Sequence, residues 1–177
     1  MHGLALILFP LLLNVCGACT GGWHSFRHGG PCFKIFHERE ISWNIAHSRC
    51  QNMGTVLAQV PDHSTHTHLI NLISSTHSAS GSDEFFMVGA TNWGGSWRWE
   101  IVGTSLPGRY SGYWVGDNPD NYCKQGHTCH EGQHCVAYTN KNNNDDYAWD
   151  DITCSVDNYN YYICEKNAEG HSGPIVG

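Results

Sequence analysis

The sequence predicts an α+β fold: two helices, short antiparallel strands after them, and a disulfide framework stapling the whole. Three observations lead there. Helical hydrophobic periodicity runs through residues 42–73 and disappears beyond residue 80. Past that point short apolar and aromatic runs are broken by Gly and Asn, as strands and turns are. Eight of the nine cysteines follow an N-terminal segment that has the form of a removable leader.

That leader is Leu4 to Leu13, a ten-residue apolar run too short to span a bilayer, with small residues following at Cys16, Gly17 and Ala18. Residues 1–18 are therefore expected to be a signal peptide cleaved near Ala18, although no Lys or Arg precedes the run. A buried N-terminal helix fits less well, because the run is apolar all round. The expected product is secreted, extracellular and without membrane insertion. Cleavage removes Cys16 and leaves Cys19, Cys32, Cys50, Cys123, Cys129, Cys135, Cys154 and Cys164. An even count in an oxidising compartment reads as four disulfides, since no C-x-x-C pair survives to favour a metal thiolate. Counting alone leaves about 100 pairings open.

The elements follow in order. Ser42 caps a first helix with Trp43, Ala46, Cys50 and Met53 on one face and Gly54 ending it. Asp62, after Pro61, caps a second helix whose buried side is Leu69, Ile70, Leu72 and Ile73. Strands are expected at Phe85 to Val88, Ser96 to Trp99, Cys135 to Tyr138 and Tyr161 to Cys164. Between Tyr110 and Gln133 lies a long irregular stretch with aromatics and two cysteines, read as an ordered, functional loop. Residues 19–166 make one domain, and the Gly-rich tail 167–177 is expected to fray.

Composition narrows the function. Hydrophobic residues are 40% and aromatics 12%, enough for a core, while charged residues are only 14%. The net charge is −7 and no Lys/Arg cluster exists, so nucleic acid and anionic membranes are poor partners. No N-x-[ST] sequon and no G-x-S-x-G motif occurs, and an enzyme is not expected. His63, His66 and His68 invite a zinc reading, but H-E-x-x-H is absent and a solvated polar face accounts for them. Asn142 to Asp146 reads as an exposed turn rather than a cation site. Trp93, Trp97 and Trp99 could form a carbohydrate platform; core packing is the default, since Trp97 and Trp99 alternate as strand residues do.

Residues spread from Cys19 to Lys166 together resemble the long form of the C-type lectin domain. They are Cys19, Gly22-Trp23 and Cys32-Phe33; Ser42-Trp43 with Ala46 and Cys50; Val56-Leu57-Ala58; Phe86-Met87-Val88-Gly89; Asn118-Pro119-Asp120; Trp149-Asp150-Asp151; and Cys154 with Cys164-Glu165. The resemblance implies the pairs Cys19–Cys32, Cys50–Cys164 and Cys135–Cys154, which leaves Cys123–Cys129 as a staple within the long loop. It also implies a long calcium-binding loop region.

Calcium takes roughly six to eight oxygen ligands. Carried over from the family, the Ca2+ ligands here are Asn118, Asp120, Gln133, Asp150 and Asp151, with Pro119 as a cis-proline. Asn118, Asp120, Gln133 and Asp150 would also contact sugar, joined by Tyr122. Two positions depart from the usual pattern: Gln133 stands for Glu, and Asp150 for Asn. The three acids Asp120, Asp150 and Asp151 still keep the usual charge. Amide first and acid second in Asn118-Pro119-Asp120 resembles the galactose type, whereas the mannose type has the reverse order. The opposite pair has exchanged amide and acid as well, which brings the overall arrangement closer to the mannose type. Stacking of Tyr122 or Trp114 on a galactose face tips the balance back.

The resemblance thus implies a secreted calcium-dependent lectin for galactose or N-acetylgalactosamine, with glycans of cell or microbial surfaces as partners and a role in innate immunity. One shallow site binds weakly, so avidity would come from a homo-oligomer. The alternatives are a mannose-type lectin, or the same fold binding protein, ice or mineral surfaces without sugar.

Overall fold

In the computed structural model, which describes residues 19–77, 84–108, 111–122, 131–140 and 147–170, Ser42 caps helix α1 (Trp43–Asn52). Its hydroxyl accepts from the Ile45 N–H at 3.3 Å, satisfying one of the amides a helix start leaves open. At the other end Thr55 N–H donates to the Cys50 carbonyl at 3.0 Å and Gly54 N–H to Gln51 at 2.9 Å, with Gly54 at φ +69°. This paired closure needs a left-handed residue, and glycine supplies it without a Cβ clash. Trp43, Ala46 and Cys50 are buried as the spacing predicts. Met53 is not: it is the capping residue, turned out of the helical stripe and exposed.

Asp62 caps helix α2 (His63–Thr76) through its carboxylate and the Thr65 N–H at 2.8 Å. Leu69, Leu72 and Ile73 are buried and Ile70 half-buried. The solvated-face reading of its histidines is corrected. His66 is only 6% exposed, its Nδ1 lying 2.8 Å from the Tyr138 hydroxyl and its ring against Trp149. Three residues before Leu69, it shares the buried stripe, and burial pushes its pKa down to about 4, with His63 adding to the effect. His68 is half-buried against Phe26 and Phe33, and His63 is exposed.

The strands are β1 (His24–Ser25), β2 (Cys32–Ile41), β3 (Val56–Leu57), β4 (Phe85–Thr91), β5 (Arg98–Trp99), β6 (Cys135–Thr139), β7 (Ala148–Ile152) and β8 (Tyr159–Lys166). They form one sheet in the order β1-β2-β8-β4-β6-β7, with β3 attached to β8 and β5 to β4. Pairing is antiparallel except between β4 and β8, where Phe86 faces Tyr161 and Met87 faces Tyr162. The expected strand at Ser96 to Trp99 is reduced to Arg98–Trp99. β2 is ten residues long; the resemblance implies a hairpin at Cys32-Phe33, and the remainder of the strand to Ile41 has no counterpart among the expected strands. Its second half is His37-Glu38-Arg39-Glu40, so apolar alternation is lost where the strand faces solvent. Main-chain pairing to β8 holds it instead, with a register shift between His37 and Ile41 around Glu40, whose φ is 56°.

Two apolar clusters fill the interior. One gathers Phe33, Leu69, Ile73, Phe86, Trp99, Trp114, Tyr138 and Trp149 under α2; the other gathers Trp43, Ala46, Leu57, Met87, Ile152 and Tyr162 around α1. The tryptophan group divides: Trp99 is buried, Trp97 half-buried against the core, and Trp93 is 59% exposed. Disulfides join Cys19–Cys32, Cys50–Cys164 and Cys135–Cys154, the three pairs the resemblance implies. The Cys50–Cys164 bridge closes a separation of 114 residues and ties α1 to β8. In a chain-entropy account a closure of that size contributes about 4–5 kcal/mol.

A polar knot sits within the sheet. Glu165, fully buried, accepts the Gln59 N–H at 2.8 Å; the Gln59 amide donates to the Leu57 and Gly89 carbonyls at 2.8 and 3.2 Å and accepts from Ile101 N–H at 3.0 Å. A Cβ on Gly89 would lie 2.3 Å from Gln59 Nε2 and 2.7 Å from the Leu57 oxygen, so only glycine fits. No helix among the described residues is long and apolar enough to cross a membrane. The expected leader, the Cys123–Cys129 staple, the turn at Asn142 to Asp146 and the tail beyond residue 170 lie outside the described residues.

Candidate functional site

The site grows from Trp149. Its indole is buried in the core, which fixes the next two residues of β7, Asp150 and Asp151, opposite Ala137 and Val136 of β6. The irregular chain before the triplet then docks along β7: Trp149 N–H donates to the Tyr113 carbonyl at 2.7 Å, and Val115 N–H to the Trp149 carbonyl at 2.8 Å. Asn118 N–H closes a turn onto Val115 at 3.1 Å. The Asn118–Pro119 peptide bond is cis.

Through this path the structure brings the expected residues together. The Asn118 side-chain amide donates to Asp150 Oδ1. Asp151 accepts twice from the triplet backbone, Oδ1 from Asp120 N–H at 3.1 Å and Oδ2 from Asn121 N–H at 2.8 Å. Asp120 Oδ1 in turn accepts from Tyr122 N–H at 2.8 Å. Asn121, which sequence reasoning passed over, links the remaining member: its Oδ1 accepts the Gln133 N–H at 2.7 Å, and its backbone is left-handed at φ 53°. The available signal was residue type, since Asn tolerates that conformation better than most.

Asn118, Asp150 and Asp151 are at most 4% exposed. Burial raises the Asp151 pKa, the backbone amides of Asn121 and Asp120 hold it down, and the Asp120 charge pushes it up again. Gln133 Oε1 is buried without a hydrogen-bond partner among the described residues. A buried amide oxygen of this kind is a ligand that a hard cation can use alongside carboxylates. Among the described residues no three His, Cys, Asp or Glu side chains could hold an ion alone.

The two proposed stacking residues separate. Tyr122 is 63% exposed. Trp114 is buried, packs on Trp97 and Trp149, and donates its indole N–H to the Pro107 carbonyl at 2.9 Å. That corrects the reading of Trp114 as a sugar platform: its bridge to Trp149 turns it into the core.

The Lectin C-type domain family matches residues 39–166. The chain is 26% identical to a perlucin-like protein of Mytilus galloprovincialis over 146 residues, covering 82% of this chain and 81% of the relative. It is 35% identical to dromaiocalcin-2 of Dromaius novaehollandiae over 68 residues, 37% of this chain and 46% of that protein's length. Among solved structures, the carbohydrate-recognition domain of cow CD23, determined in the presence of a GlcNAc2Man3 oligosaccharide, superposes with a TM-score of 0.62 at 16% identity, over 86% of this chain and 98% of that one.

Proposed function

The chain belongs to the C-type lectin domain family, and from that premise we propose that it is a secreted, calcium-dependent carbohydrate-binding module rather than an enzyme. In this reading residues 1–18 are the leader and 19–166 the binding domain. The observation that carries it is two sets of hydrogen bonds at adjacent positions of β7, Asn118 with Asp150 and Asp151 with Asp120 and Asn121, the latter extending to the Gln133 backbone, together with a Gln133 oxygen that is buried without a hydrogen-bond partner among the described residues. Calcium, when bound there, supplies coordination positions that two neighbouring sugar hydroxyls can take.

The protein's own residues orient the sugar. Carboxylates accept from its hydroxyls and amide NH2 groups donate to them. The order of Asn118 and Asp120 favours galactose or N-acetylgalactosamine, and the exposed ring of Tyr122 offers an apolar surface for the sugar face. Glycans of cell or microbial surfaces are the partners in this reading, with a homo-oligomer supplying avidity and innate recognition as the role.

Calorimetric titration of calcium into chelator-treated protein, followed by galactose and then mannose, tests the proposal. Saturable calcium binding and heat from galactose alone are expected. Heat from mannose alone would reverse the specificity. Absence of calcium binding at millimolar concentration would overturn the site and favour the same fold binding protein, ice or mineral.

A further inference from the structure

We propose that Trp93 forms an outer subsite that stacks on the second sugar of an oligosaccharide whose terminal residue occupies the neighbouring site; this rests on the carbohydrate reading given above. Trp93 and Tyr122 are the two most exposed large hydrophobic side chains among the described residues, at 59% and 63%. They are far apart in sequence, yet both are tied to the short segment that carries Gln133.

The tie on the Tyr122 side runs through Asn121, which accepts the Gln133 N–H. On the Trp93 side it runs through His134, the next residue. The indole of Trp93 lies against the His134 ring, with centroids 4.6 Å apart. His134 is fixed twice to the residue before Trp93: its ring Nδ1 contacts Asn92 Oδ1, and its carbonyl accepts the Asn92 N–H at 3.1 Å. The same imidazole also reaches toward the triplet loop. A Cβ on Gly132 would meet Asn121 Oδ1 at 2.8 Å and His134 Nε2 at 3.3 Å, so those two atoms border one small space.

Trp93 is thus a braced aromatic, held at its base by His134 while most of its surface faces water. Burial in the core cannot explain it, for Trp97 and Trp99 on the same segment turn inward and Trp93 does not. A rigid indole supplies a large apolar face at little conformational cost, which is what the hydrogen-rich face of a pyranose ring needs. A terminal sugar is already reached by Tyr122 and the triplet. The unit linked to it is the occupant that Trp93, braced on the residue after Gln133, suits.

The test compares monosaccharide with disaccharide on the full calcium-loaded protein. Methyl β-galactoside and methyl α-mannoside serve as the single units, lactose and an α-linked mannobiose as the pairs. For the accepted sugar, the disaccharide is expected to bind about tenfold tighter than the monosaccharide. Trp93→Ala should abolish that gain while leaving monosaccharide affinity within about twofold, which also shows that the variant is folded. Trp93→Phe should retain part of the gain. Equal affinity of the wild type for both, or an undiminished gain in Trp93→Ala, overturns the outer subsite and leaves the primary site standing. No heat from any of the four sugars overturns both.

Discussion

The side-chain amide of Asn118 donates to the carboxylate of Asp150, joining two of the four positions, with Asp120 and Gln133, at which this chain departs from the mannose pattern. The family's mannose type places an acid in the first position and an amide in the second; here the amide comes first and the acid second. Each arrangement keeps one donor and one acceptor in the pair. The exchange at Asp150 is therefore a companion to the amide at Asn118 rather than an independent loss.

Substituting one partner should cost stability and substituting both should restore it. Asn118→Asp places two carboxylates in a buried contact and is expected to destabilise the calcium-free protein by about 1–3 kcal/mol. Asn118→Asp with Asp150→Asn re-forms an acid–amide pair and should recover most of that loss. Urea denaturation in chelator reads both variants, and equal destabilisation by single and double variants would exclude the pairing.

Asp151 clamps the triplet loop to β7 through two backbone amides. Asp151→Ala removes both charge-assisted bonds, each contributing about 1.5–3 kcal/mol. Amide hydrogen exchange at Asp120 and Asn121 should accelerate by at least about tenfold, while exchange in β4 and β8 follows only the global change in stability.

The knot around Gly89 gives a test of the fold itself. Gly89→Ala drives a methyl into Gln59 Nε2 and the Leu57 carbonyl, and is expected to cost about 1–3 kcal/mol or more. Because Gln59 Nε2 belongs to a side chain, Gln59→Ala should relieve part of the clash in the double variant. The contact with the Leu57 carbonyl remains.

Two buried groups give stability opposite dependences on pH. Burial pushes Glu165 up to about 7 from 4.5, with the Gln59 N–H opposing, so between those values the folded chain holds a proton that the unfolded chain has released. Its contribution is fully present below 4.5 and is lost as pH rises through 7. His66, lowered to about 4 from 6.5 by burial and then His63, lacks a proton that the unfolded chain holds. Its contribution is present above 6.5 and is lost as pH falls through 4. Glu165→Gln should flatten the loss on the alkaline side, and His66→Asn the loss on the acid side. Denaturation curves at pH 4, 6 and 8 distinguish the two.

Legibility in the sequence followed the range of the interaction. Ser42 and Asp62 cap their helices by bonds to amides three residues away, so type and spacing sufficed. The polar half of β2 escaped because it is held by pairing with β8, more than a hundred residues distant. His66 and Trp114 were misplaced for a related reason. An imidazole or an indole is compatible with water or with the interior, and only the Tyr138 hydroxyl and the Trp149 bridge decide between them.

By itself the sequence determined the α+β class, both helices and their caps, an acidic chain unsuited to nucleic acid, and the residues that resemble a calcium and sugar site. How those residues meet came only from the tertiary structure: the Asn118–Asp150 bond, the Asp151 clamp, a Gln133 oxygen without a hydrogen-bond partner among the described residues, and the outward turn of Trp93 beside His134. The physical reason is that caps and periodicity are satisfied within a few residues of chain. The candidate site is instead assembled where β6, β7 and an irregular loop converge, out of residues far apart in the chain, so its polar contacts follow from tertiary packing.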